Sequence, residues 1–285
     1  MVLERMLEVT NAIGTLPYRM ALAGGWIDQP FMSRLNPAPP GSMVVVGLEP
    51  TCRFMERSGM ATSTRRIAEK LWGASLPNRN PMELMRELYV AENNGNPKPS
   101  GSQDMAGLIL PGVSRLDYAY EFEGGVFPAR FESCNDPEVG RWLEEVMHVL
   151  PIAQRQDGYS PLGEQRLDAE WVRRLSESGK SCFEATKAMD IEKLGASLNE
   201  SMRCWAALLP HTVSHPLISV DLLGLLAFYQ NKYAGAMYSG CGGGYLYVAS
   251  EEPVPGAFKV KIRLADKLGQ EGKGTRTALE SAPRR

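Results

Sequence analysis

Four short stretches of the chain gather residue types that can do chemistry. In RMALAGGWIDQP (19–30) an alternating run delivers Arg19, a glycine pair allows a sharp turn, and Asp28 follows a tryptophan. An arginine close to an aspartate is either a structural ion pair or a pair that orients a hydroxyl and neutralises a phosphate. In RSGMATST (57–64) Gly59 permits a tight turn, and Ser58, Thr62, Ser63 and Thr64 cluster where a helix should begin. Such a cluster is an ordinary N-cap or an anion site made from free N–H groups and the helix dipole. It is not a Walker loop, because no Gly-Lys-Ser/Thr follows. In SGSQD (100–104) Asp104 stands at a loop-to-helix junction, as a helix cap or a catalytic carboxylate. In GAMYSGCGGG (235–244) three consecutive glycines make a poor strand, so they form a tight turn or a place where backbone approaches a ligand closely.

Strands and helices alternate in blocks around these stretches. LPYRMALA and MVVVGL read as strands, with the Pro/Gly turn NPAPPGS between them. Apolar spacing predicts helices over 63–72 and 82–92, separated by the loop GASLPNRNP. The segment 93–103 reads as a polar loop, and DMAGLIL as a helix start. LDYAYEFEGGVFPARFE reads as a hairpin around Gly124-Gly125, and 137–149 as a helix giving way to a strand in VMHVLPIA. Residues 166–209 read as mostly helical and 217–233 as a further helix. AMYSG and YLYVAS read as strands joined by the glycine turn, and FKVKIRL as a last strand. The order suggests α+β rather than a regular βαβ series.

Composition narrows the function. The 285 residues carry 31 Lys+Arg against 33 Asp+Glu, a net charge of -2, so a phosphate-coated partner such as nucleic acid is not expected. No apolar run reaches the roughly 18 residues of a transmembrane helix, and the N-terminus lacks the apolar core of a secretory signal. Five scattered cysteines with no CxxC pair argue against a disulfide framework or zinc site and for a reducing, cytoplasmic setting. His211 and His215 are four apart but bracketed by Pro210 and Pro216, which points to structural roles.

Together the four stretches resemble the GHMP small-molecule kinase superfamily. RMALAGGWIDQP resembles the opening motif of its fucokinase and heptose-phosphate kinase branch, R-hydrophobic-x-hydrophobic-A-G-G-W-x-D-x-P. RSGMATST resembles the glycine- and serine-rich phosphate loop, SGSQDM the G-x-Q-D-Q segment, and GAMYSGCGGGYLYV the third motif, G-x-K-x-x-G-A-G-G-G. The four occur in family order over roughly residues 17 to 250.

The resemblance implies a two-lobed α+β GHMP kinase fold with the active site between the lobes. An N-terminal lobe over 1–110 would carry the phosphate loop, and a C-terminal lobe over 111–265 the glycine-rich turn. A polar tail over 266–285 is expected to be disordered. The implied reaction moves a phosphoryl group from ATP, with Mg2+, to a hydroxyl of a sugar, sugar phosphate or polyol. Asp104 matches the base for the acceptor hydroxyl, Arg19 the arginine near the transferred group, and Asp28 an acidic residue on the acceptor side. Ser58, Gly59, Thr62, Ser63 and Thr64 match the phosphate loop, Ser63 being the metal ligand, and Gly240, Gly242 and Gly243 the glycine turn.

The sequence also departs from the family pattern. Arg57 and Ala61 stand where glycines are usual, Met237 where lysine is common, and the loop lacks its leading proline. Only 30 residues separate Asp28 from Gly59, far fewer than the family places there to hold the nucleotide base. Arg65 and Arg66 could compensate as phosphate ligands or form a solvated helix face. Arg155 and Asp157 lie in a stretch, 149–165, that could line the site or form a surface loop. Two other readings follow: a non-catalytic GHMP-fold protein that binds a sugar or phosphorylated metabolite, and a phosphotransferase with a donor other than ATP. A homodimer could bury apolar surface left by the shortened stretch.

Overall fold

Valine-rich alternation builds the first sheet where the sequence predicts it. In the computed structural model, which describes residues 15–36, 38–96 and 99–265, β1 (Tyr18–Ala21) pairs antiparallel with β2 (Gly41–Leu48). Arg19 lies opposite Gly47. Every residue of β2 is buried, as expected for a strand covered on both faces. A short helix, α1 (Pro30–Ser33), occupies the connection. β3 (Val113–Tyr118) and β4 (Arg130–Cys134) complete the order β1-β2-β3-β4. The hairpin expected around Gly124-Gly125 is therefore present, with a wider loop in which residues 123–125 form a 3-10 turn.

Between β2 and β3 lie α2 (Thr62–Trp72), α3 (Pro81–Asn93) and α4 (Gln103–Ile109). α3 starts where Asn80 accepts from Met82 N, with Pro81 at the first helical position. The second sheet has the order β5-β7-β6, from β5 (Met147–Ala153), β6 (Gly235–Gly240) and β7 (Gly243–Ala249).

Three expectations are corrected. The helix predicted over 137–149 is α5 (Pro137–Val146), and His148 and Val149 lie in β5. The strand expected in VMHVLPIA is β5, and it takes these two residues by pairing His148 with Val248 and Val149 with Tyr247; Pro151 could not have continued the helix. The helix predicted over 217–233 is α8 (Leu222–Lys232), because Asp221 caps it by accepting from Gly224 N. FKVKIRL forms no strand of either sheet. It makes one bridge to each, Val149 with Phe258 and Leu48 with Ile262, so it straps the sheets together and runs in register with neither.

Two long helices close the core. Asp168 and Asp190 cap α6 (Ala169–Lys187) and α7 (Ile191–Leu208). α6 packs on β2 of the first sheet and α7 on β6 of the second, so one buried cluster runs through both sheets. Among the described residues no helix is long and apolar enough to cross a membrane. The tail at 266–285 lies outside the described residues, as do Pro97 and Lys98 of the polar loop.

Candidate active site

A cavity of about 730 Å³ collects groups from four distant stretches: Arg19, Asp28, Gly59, Asp104 and Gly240 all line it. That volume is within the usual range for a small-molecule pocket. Trp26, Phe31, Arg155, Leu162, Gln165 and Cys241 also line the cavity.

Arg19 is the hinge of the arrangement. β1 carries it inward, and it is 4 % exposed. Its Nη2 forms an ion pair with Asp104 Oδ1, and its Nη1 donates to Gly59 O at 3.0 Å. Burial lowers its pKa, opposed by the nearby Tyr247 and Asp28 and reinforced by the Arg155 charge. The stem of Arg19 crosses α4 at Gly107, where a Cβ would meet its Cγ and approach its Cβ and Cδ to 3.0 Å. A glycine inside a helix costs roughly 1 kcal/mol against alanine, and here the close approach requires it.

Asp28 is fully buried and sits at the N-terminus of α4. Its Oδ2 accepts from Gln103 N at 3.3 Å and its Oδ1 from Gln103 Nε2 at 3.4 Å. Desolvation pushes its pKa up to about 6, against the opposing pull of the Gln103 amide and Arg19. The ion pair that the sequence suggests for Arg19 with Asp28 is made with Asp104 instead, and Asp28 caps the helix that carries Asp104.

Asp104 lies in the first turn of α4, whose N-cap is Ser102. Its side chain is 25 % exposed, so a ligand in the cavity can reach it. Its Oδ2 lies 3.5 Å from Thr64 Oγ1, which donates to Glu92 Oε1 at 2.8 Å. Burial raises the Glu92 pKa, opposed by the Thr64 hydrogen bond and Arg19. Glu92 Oε2 is buried with no hydrogen-bond partner among the described residues.

The loop before α2 is packed from behind. The helix begins at Ala61, with φ 54° and no side-chain cap, so none of the clustered hydroxyls acts as an N-cap. Ser58 is buried, and its Oγ donates to Met55 O at 2.5 Å. Gly59 has φ +79°, and a Cβ there would fall 2.7 Å from Gly240 Cα. The 57–59 loop and the glycine turn thus press together, with Ser239 Oγ donating to Ser58 O at 2.5 Å. Of the five loop residues singled out, only Gly59 lines the cavity; Thr62 is buried and Ser63 is exposed. Of the three turn glycines, Gly240 lines it and Gly242 and Gly243 do not. Met237 is buried in β6 and adds no charge.

Arg65 and Arg66 do not line the cavity. Arg65 Nε donates to Leu16 O at 3.0 Å, and Arg66 pairs with Glu56 at 2.9 Å. Arg155 does line it, while Asp157 pairs with Arg57 outside it. Glu92 was missed because it reads as a solvated residue of α3. Thr64 was singled out, and its place three and four residues before Ile67 and Ala68 puts it on the packed face.

The two antiparallel sheets, the bridging helix pair and the loop pressed on a glycine turn define the GHMP small-molecule kinase fold. Galactokinase from Lactococcus lactis, complexed with galactose, is similar over 93% of this chain and 99% of its own, at 13% identity and TM-score 0.58. Mevalonate kinase from Methanococcus jannaschii covers 82% of this chain and 89% of its own, at 11% identity and TM-score 0.55. D-glycero-D-manno-heptose 1-phosphate kinase from Bacteroides thetaiotaomicron covers 87% and 95%, at 10% identity and TM-score 0.52. At these identities the likeness is one of fold. No protein-family model matches the chain, and no curated protein does.

Proposed function

We propose that this protein is a small-molecule kinase that transfers a phosphoryl group from ATP to a hydroxyl of a sugar, sugar phosphate or polyol. The observation that carries the reading is the Arg19–Asp104 pair opening into a cavity beside Asp28 and the Gly59 turn. Phosphoryl transfer needs positioning and charge neutralisation more than covalent help from the protein. Asp104 takes the proton of the attacking hydroxyl, and Arg19 holds that carboxylate and faces the charge of the transferred group. Asp28 accepts a hydrogen bond from another acceptor hydroxyl, in a wall shaped by Trp26 and Phe31.

ATP with Mg2+ would supply the phosphoryl group and partial neutralisation of its charge. Among the described residues no three His, Cys, Asp or Glu side chains converge as a metal cage. Two carboxylates and a hydroxyl do converge, Glu92, Asp104 and Thr64, and hard oxygens of this number suit Mg2+ that arrives with phosphates and waters. These residues, with the unpartnered Glu92 Oε2, would hold the ion in place of the exposed Ser63.

The test is turnover of a sugar and sugar-phosphate panel with ATP-Mg2+ by wild type and Asp104→Asn. Loss of a base should lower turnover by about 10²–10⁴-fold in protein that melting curves show to be folded, with a lower melting temperature because the buried Arg19 loses its ion pair. Turnover within a few-fold of wild type would remove Asp104 as the base.

One observation favours a second reading, a non-catalytic binding protein: the phosphate loop is backed against Ser239 and Gly240, and only Gly59 reaches the cavity. That reading predicts thermal stabilisation by a sugar or sugar phosphate with no product.

A further inference from the structure

Three arginines line the cavity: the exposed Arg34 at its rim, and Arg19 and Arg155, which are held differently. Arg19 has its Nη2 on Asp104 and its Nη1 on Gly59 O. Arg155 is anchored only through Nε, which donates to Arg57 O at 2.8 Å. Among the described residues it makes no ion pair, so its charge is uncompensated and its Nη groups are unspent. They lie against the glycine turn: a Cβ on Gly240 would approach Arg155 Nη2 to 3.4 Å. The segment bearing Arg155 is fastened to the loop a second time, by Arg57, which pairs with Asp157 and donates from Nη2 to Gln156 O at 2.9 Å.

Two like charges in one cavity are unfavourable until an anion arrives, and the effect of Arg155 on Arg19 shows that each lies within the other's field. A guanidinium with both Nη groups unspent beside a glycine turn suits a tetrahedral oxyanion, which it can bind with two parallel donors. We propose that Arg155 is a second phosphoryl-binding arginine, which takes the terminal phosphate of the donor at the junction of the 57–59 loop and the 240–242 turn. The proposal rests on the kinase reading for the identity of the donor. Its physical content, an oxyanion site made by Arg155, stands apart from it.

The experiment is calorimetric titration of the full chain with inorganic pyrophosphate, for wild type, Arg155→Gln, Arg155→Lys and Arg173→Gln. Arg173 is an exposed residue of α6 and serves as the surface control. Loss of charge-assisted bonds should weaken binding roughly ten- to a hundred-fold in Arg155→Gln. Arg155→Lys should recover part of the loss, since a point charge replaces the fork. Arg173→Gln should bind as wild type does. Melting curves establish that each variant is folded. Absence of saturable binding by wild type at millimolar pyrophosphate, or binding by folded Arg155→Gln within two-fold of wild type, would overturn the proposal. Turnover of the acceptor panel separates the two claims. No turnover with Arg155-dependent pyrophosphate binding retains the arginine site and ends the kinase reading. Turnover by Arg155→Gln at the wild-type rate retains the kinase reading and ends the arginine assignment.

Discussion

Replacing Asp28 with asparagine should stabilise the fold at neutral pH, leave it nearly unchanged near pH 4, and abolish turnover. The carboxyl is fully buried, and desolvation raises its pKa from 3.8 to about 6 in the folded protein. Below the lower value both states are protonated, and the shift contributes nothing to the pH dependence. Between the two values the folded state keeps a proton that the unfolded chain releases, so stability falls as pH rises. Above about pH 6 the loss is complete. A shift of about 2 pH units at 1.36 kcal/mol each gives about 3 kcal/mol as the ceiling, with local relaxation reducing it.

Asparagine keeps the size and the carbonyl that accepts from Gln103 N, and its neutral amide avoids this penalty. Urea unfolding of both proteins at about pH 4, 5, 6 and 7.5 isolates the effect, because every other titrating group cancels in the difference. The advantage of Asp28→Asn should grow with pH by roughly 1–3 kcal/mol. A flat difference would refute the burial argument. An advantage that shrinks as pH rises would mean that Arg19 and the α4 N-terminus outweigh desolvation, and that Asp28 is ionised throughout. A stabilised, inactive variant would mark the residue as one whose cost to the fold is retained for the site.

The remaining predictions use the same geometry. Gly107→Ala places a methyl against the stem of Arg19, so it should cost roughly 1–3 kcal/mol by thermal melting and lower turnover, although the residue touches no ligand. Gly59→Ala should cost more than Gly73→Ala: the φ values are +79° and +78°, but a methyl at 73 meets nothing within 4 Å, whereas one at 59 meets Gly240 Cα at 2.7 Å. Equal losses in urea melts would mean that backbone strain alone, about 1–2 kcal/mol, decides both and that loop and turn are not pressed together. Anion binding beside Arg19 should weaken the field that lowers the Asp28 pKa and carry it above about 6. Calorimetry with pyrophosphate in buffers of different ionisation enthalpy should then show proton uptake near pH 6.5 beyond that of Asp28→Asn; equal uptake in the two proteins would refute the coupling.

The strands and helices were legible where local signals agree. The short β-branched run MVVVGL signals the strand β2, and the apolar spacing of 82–92 signals the helix α3, which opens one residue earlier at Pro81. What failed was decided by partners distant in sequence: pairing with β7 settles the overlap of expected helix and expected strand at 146–149 in favour of the strand from Met147 on, and two sheets compete for FKVKIRL. The site divides in the same way. Arg19, Asp28, Gly59, Asp104 and Gly240 each sit on a local glycine or junction signal, and the cavity contains all five. Which hydroxyl of TST faces inward is a question of helix phase, and neighbouring helical positions differ by about 100°. Thr64 is buried and Ser63 exposed because α3 packs on the Thr64 side, where Glu92 meets it. The pairing of residues 64 and 92 exists only once α2 and α3 are packed.

In the proposed kinase reading, the stretch between Asp28 and Gly59 bears on the donor and hardly at all on the reaction centre. The side chain of Asp28 is fixed by the amide and side chain of Gln103, and that of Arg19 by Asp104 one residue further on, so α4 orients both, while the stretch pairs with the backbone of β1. α4 is in turn fixed by burial of residues 105–109 and by Ser102, whose Oγ donates to Val126 O at 2.6 Å. The 30 residues of this stretch spend their strand, β2, entirely on internal pairing with β1 and β3 and on packing against α6. That leaves β2 no open edge or face on which a nucleotide base could lie. If Arg19 and Asp104 form the proposed transfer centre, the protein should therefore discriminate donors by their phosphates more than by their bases. Comparison of turnover with ATP, GTP and pyrophosphate under one acceptor measures that, and a strong preference for one base would contradict it.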